Sequence, residues 1–102
     1  MGRRIARAVL GWAVNRDIHR KRKAVAAYDA YRIAAESANG ANRVRNDTSS
    51  VEAFNHGIRA KVNARAIADQ KLIEMQTADR ASTRAHQRVD RIKRILGKRS
   101  RS

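Results

Sequence analysis

Residues 78–96 read Ala78-Asp79-Arg80-Ala81-Ser82-Thr83-Arg84-Ala85-His86-Gln87-Arg88-Val89-Asp90-Arg91-Ile92-Lys93-Arg94-Ile95-Leu96. Ala78, Ser82, Ala85, Val89, Ile92 and Leu96 recur in steps of three and four, which puts their side chains on one face of an α-helix. The same spacing runs back through Met75, Leu72 and Ala68 to Ile58, Phe54 and Val51, with Lys61, Arg65 and Asp79 as interruptions. Ser49 and Glu52 stand in S-x-x-E spacing ahead of it, a capping-box signal. We therefore expect a long second helix over 50–96, on the order of 70 Å at 1.5 Å per residue. Its packing seam is Val51, Phe54, Ile58, Leu72, Met75, Val89, Ile92 and Leu96, with alanines between them. So narrow a stripe suits close helix–helix contact better than a broad globular core.

Working outward, a first helical stretch is expected over about 4–38. Val25, Tyr28, Tyr31, Ala35 and Ala38 carry its spacing, a kink is conceivable near Gly11, and Asn39-Gly40 offers a C-terminal stop. A joint at 39–49 (near 39–50) then separates the helices, and 97–102 reads as a basic tail. The chain has no proline, so nothing forbids long helices. The fold class is all-α: two long amphipathic helices with one joint, extended or folded back as a hairpin. Residues 1–16 contain no acid and place Ile5, Val9 and Trp12 on one helical face beside Arg3, Arg4 and Arg7. Three readings stay open for them: a membrane-facing surface helix, an organellar targeting segment, or an ordinary packed helix.

The 102 residues allow one domain. Of the 42% hydrophobic residues, nineteen are alanine, and Val, Ile, Leu and Phe together make only nineteen more. Few bulky apolar groups with high charge mark a chain that gains order from an assembly that covers its seam. The formal charge is +15, shared as +7 over residues 1–50 and +8 over 51–102. Eighteen of the 24 basic residues are arginine, suited to bidentate pairing with phosphate or carboxylate. Nucleic acid, acidic protein neighbours and a compositional bias of the genome all account for such a charge.

Two cationic groups stand out. Arg20, Lys21, Arg22 and Lys23 form a run, and Arg80, Arg84, Arg88 and Arg91 form a stripe beside the apolar ridge of the second helix. Both are expected to face anion or nucleic acid, or else to be solvated helix edges. Phosphate contact of this kind carries no base readout. Absence of cysteine removes disulfides, thiolate catalysis and cysteine-ligated metal. His19, His56 and His86 are scattered, and His86 with Asp90 reads as a surface pair one helical turn apart. No phosphate-loop glycine motif occurs. The expectation is a non-enzyme with no cofactor and no metal.

One segment carries a resemblance. Asn39-Gly40-Ala41-Asn42-Arg43-Val44-Arg45, followed by Arg59-Ala60-Lys61-Val62-Asn63-Ala64-Arg65-Ala66-Ile67-Ala68-Asp69-Gln70, resembles the central helical segment of the internal virion (core or ejection) proteins of short-tailed, T7-type phages. The resemblance spans about a third of the chain, with Arg43, Arg45, Asn63 and Arg65 at matching positions. It implies a helical, non-enzymatic virion component, present in many copies, in contact with itself, with other assembly proteins and with DNA, and involved in packaging or ejection. The residues alone also admit a small arginine-rich ribosomal protein, mitochondrial or otherwise, and a DNA-coating protein.

Overall fold

The computed structural model describes residues 2–101, with side chains over 2–98. It contains two helices, α1 (Gly2–Arg43) and α2 (Val51–Arg101), and no strand among the described residues. The class is all-α, as the spacing of apolar residues requires.

Both helices are longer than the sequence signals suggest. α1 passes unbroken through Gly11 and Gly40, and neither glycine adopts a positive φ. A mid-helix glycine costs about 1 kcal/mol against alanine. Packing opposes that cost around Gly40, because Ala38 is buried and Ala41 half-buried on either side of it. The chain turns only after Arg43, where the Val44 amide donates to the Ala41 carbonyl at 3.2 Å. At the other end α2 continues through Gly97 to Arg101 rather than fraying there. Ser102, the last residue of the expected tail, lies outside the described residues.

The start of α2 sits one residue later than the capping-box spacing implies. Ser50, not Ser49, is the cap: its Oγ accepts the Ala53 amide at 3.0 Å, and its carbonyl accepts the Phe54 amide at 3.1 Å. Ser49 instead donates its amide to Asp47 Oδ1 at 2.9 Å, closing a turn within the joint at 44–50. Hydrogen bonds from the Ser49 side chain and amide hold the Asp47 carboxyl below its ordinary range, against a smaller opposing effect of burial.

The chain divides into two units, Met1–Val25 with Thr77–Ser102, and Ala26–Gln76. In the first, the buried and half-buried residues on α1 include the row Ala6, Leu10, Ala13, Asp17, Arg20 and Ala24, with Val14 half-buried beside it. On α2 they include Ala78, Ser82, Ala85, Val89, Ile92 and Leu96. Both rows alternate steps of three and four, the knobs-into-holes spacing. Asp17 meets His86 and Trp12 meets Arg88, so numbers fall on one helix as they rise on the other. Within this unit the chain comes back on itself as an antiparallel pair. Alanine is the commonest residue of this seam, and Ala13 is only 1% exposed.

The second unit has its own row: Ala27, Ala30, Ala34, Ala38 and Ala41 on α1, and Ala53, Gly57, Lys61, Ala64, Ala68 and Met75 on α2. Here the expected seam is corrected. Val51 is 76% exposed, and Phe54 and Ile58 are exposed as well. The inward positions go to Ala53 and Gly57, because small side chains let the joint approach closely. Asn46 Oδ1 lies 3.6 Å from where a Cβ on Gly57 would stand.

Candidate anion-binding cleft

In the first unit, a cleft of about 210 Å³ is lined by Arg16 and Arg20 from α1 and by Arg84 and Arg88 from α2, with Ala81 and Ala85 as its floor. Each helix contributes two arginines four residues apart, about 6 Å along its axis. The alanine floor follows from the seam: small residues there let two cationic edges come together. A volume near 210 Å³ is below the roughly 300–1,000 Å³ of pockets that take drug-sized organic molecules. It is a place for small, strongly charged groups.

Trp12 fixes two of the four guanidinium groups. Arg16 Cζ lies 5.4 Å from the indole centroid and Arg88 Cζ 6.0 Å from it, one from each helix. Cation–π attraction at such distances holds the cations over the ring and makes the tryptophan a brace across the helix pair.

The acid nearest in sequence, Asp17, does not line the cleft. Asp17 is buried, with Oδ2 at 3.1 Å from Lys21 Nζ and 3.3 Å from His86 Nδ1. Burial pushes its carboxyl pKa up, but the hydrogen bonds and charges of Lys21 and His86 together outweigh burial and hold it below the ordinary value. Oδ1 of the same group is buried with no hydrogen-bond partner among the described residues. His86 Nε2 faces Asp90 Oδ2 at 3.5 Å, and Lys21 Nζ lies 3.4 Å from His86 Nδ1. Two proton arrangements fit the ring. A neutral imidazole protonated at Nε2 donates to Asp90 and accepts from Lys21, whereas an imidazolium donates to both carboxylates. The further ion pairs among the described residues are Arg65 with Asp69 and Lys71 with Glu74. None of the five pairs involves Arg16, Arg20, Arg84 or Arg88.

The two cationic groups of the sequence are thus divided. Arg20, Arg84 and Arg88 line the cleft, Lys21 is committed to Asp17, and Arg22, Lys23, Arg80 and Arg91 are exposed outside it. Arg16 belongs to the cleft and was not among the expected anion-facing residues. Its signals were weak ones: four residues from Trp12, four from Arg20. Ile5, Val9 and Trp12 are exposed. Among the seam residues of α2, Val89 is buried, and Leu72, Met75, Ile92 and Leu96 are half-buried. In the second unit, Arg65 lines a shallow depression with Asn42, Lys61 and Asp69, where Asp69 already balances it. Arg43, Arg45 and Asn63 are exposed.

Among the described residues no group of three His, Cys, Asp or Glu side chains is placed to hold a metal ion, and no helix is long and apolar enough to cross a membrane. No protein-family model, curated protein or solved structure matches this chain.

Proposed function

We propose that this protein is a structural, non-catalytic component of a nucleic-acid-containing particle, bound to the nucleic acid through phosphate without reading its sequence. The observation that carries this is the meeting of four arginines, two from each helix, none of them in an ion pair among the described residues. Drawing like charges together opposes folding unless an anion joins them, and phosphate is the anion that guanidinium forks match best. The resemblance at residues 39–70 makes a phage virion the particle in view, with many copies in contact with one another and with neighbouring proteins. Exposed Ile5, Val9 and Val25 in the first unit, and Ile33 and Val51 in the second, support protein neighbours, since bulky apolar groups stand at the surface of each.

The test is binding of two unrelated duplexes of equal length across a salt series. Equal affinity for both, falling by about 0.9 log units per phosphate neutralised for each tenfold rise in salt, supports the reading. Strong preference for one sequence, or retention by a polyaspartate matrix but not by DNA, overturns it.

A further inference from the structure

The cleft differs from the rest of the basic surface in a way that charge alone does not require. A helix pair with 24 basic and 9 acidic side chains could spread its cations over its outer faces, where water screens them. Here Arg16, Arg84 and Arg88, though exposed, and half-buried Arg20 converge on one small open space across the seam, and Trp12 braces one arginine from each helix. The one nearby buried acid is occupied with Lys21 and His86 on the seam. Moreover, the cleft exists only when the two ends of the chain are together, because residues 16–20 and 84–88 supply opposite walls.

We propose that this cleft is a discrete site for two adjacent phosphates of a nucleic-acid strand, and that filling it locks the antiparallel pair of the first unit. This rests on the reading of the chain as a phosphate-bound structural protein and narrows it to four residues. Each wall presents a pair of guanidinium groups one helical turn apart, so successive phosphates are gripped from both sides in charge-assisted, forked hydrogen bonds. The alanine floor offers no polar partner to a base or sugar, so the grip takes backbone and leaves sequence unread. Anything that binds the closed pair and not the open chain stabilises the closed pair. Phosphate occupancy and helix pairing are thereby one equilibrium.

The experiment compares wild type with two quadruple variants of equal charge: Arg16→Gln/Arg20→Gln/Arg84→Gln/Arg88→Gln in the cleft, and Arg43→Gln/Arg45→Gln/Arg59→Gln/Arg94→Gln outside it. Probes are a short oligothymidylate, pyrophosphate at constant ionic strength, and vesicles of anionic phospholipid. The cleft variant is expected to lose at least tenfold in oligonucleotide affinity, and its pyrophosphate-induced rise in melting temperature should vanish. The outer variant is expected to stay within about threefold and to keep the rise. Circular dichroism should show the cleft variant at least as helical as wild type, since it removes repulsion. If the quadruple change unfolds the chain, the pair Arg16→Gln/Arg88→Gln is read against Arg43→Gln/Arg94→Gln by the same criteria. Equal losses in the two variants would overturn the discrete site while leaving general phosphate binding in place. Wild type that binds no nucleic acid at all would overturn the underlying reading. Pyrophosphate that leaves wild-type melting unchanged, or capture by vesicles in preference to oligonucleotide, would overturn the cleft as a nucleic-acid site.

Discussion

Replacing Ala13 by leucine separates a close-packed seam from a roomy one by the sign of its effect. Ala13 is 1% exposed, on the row that faces Ala85 and Val89 in the first unit. Were there space beside it, three added carbons would be buried and would stabilise the pair by about 2.4 kcal/mol at ~0.8 kcal/mol per methylene. In a seam already closed over alanines the same carbons have nowhere to go. Overpacking of that kind costs about 1–3 kcal/mol. At roughly 4–8 °C per kcal/mol for a domain of 60–100 residues, a 2 kcal/mol loss lowers the melting temperature by about 8–16 °C. Ala8→Leu on the same helix is the control, because Ala8 is exposed and a surface change stays within about 0.5 kcal/mol. Helix propensity barely distinguishes the two residues. The assay is thermal unfolding followed by circular dichroism at 222 nm. An Ala13→Leu protein that melts at or above wild type, or moves no more than Ala8→Leu, refutes the close-packed alanine seam.

Further outcomes follow from single contacts. Ser50→Ala removes the cap of α2 and should cost about 1 kcal/mol, whereas Ser49→Ala should cost less, because it removes the side-chain contact with Asp47 but keeps the amide hydrogen bond that closes the turn; paired melting curves check this ranking. The Asp17 carboxyl pKa is depressed in the folded chain. Its contribution is therefore present above the unfolded value of 3.8 and lost as pH falls through the lower folded value. Asp17→Asn should accordingly flatten the stability profile below about pH 4, measured by urea unfolding across an acid series. Trp12→Ala removes the brace over Arg16 and Arg88, each such contact being worth about 0.5–1 kcal/mol at an exposed site. Oligonucleotide affinity should fall several-fold with helicity unchanged, as read by fluorescence anisotropy of a labelled strand.

The all-α class and the two-helix plan were legible because nothing in the chain competes with them. Proline is absent, and the steps of three and four run through both halves. Boundaries were harder to read. Asn39-Gly40 looks like a stop, but the helix passes it because Ala38 and Ala41 lie on the packed row. The seam of residues 51–58 was misassigned for a related reason. Reading bulk as inward selects Val51, Phe54 and Ile58, while the pair packs through Ala53 and Gly57. In a seam built of small residues, size and burial part company. Arg84 and Arg88 could be picked out as a stripe on one helix. Their meeting with Arg16 and Arg20 depends on how the two helices are registered, and no local pattern encodes that. The ion pair of Lys21 with Asp17, which takes Lys21 out of the cationic run, joins residues four apart on one helix, so that part of the site was open to a local reading of the spacing.

Trp12 is the chain's only tryptophan, and the chain has no cysteine, so the helix pairing within the first unit can be read from one fluorophore. A nitroxide attached at Arg91→Cys sits one turn from Arg88, whose guanidinium lies 6.0 Å from the indole centroid. With ends paired as described, Trp12 emission should be strongly quenched at a protein concentration low enough to exclude contact between chains, and should recover in urea. Emission of the labelled protein that is equally bright with and without urea would mean the arginines of the two helices never share a cleft.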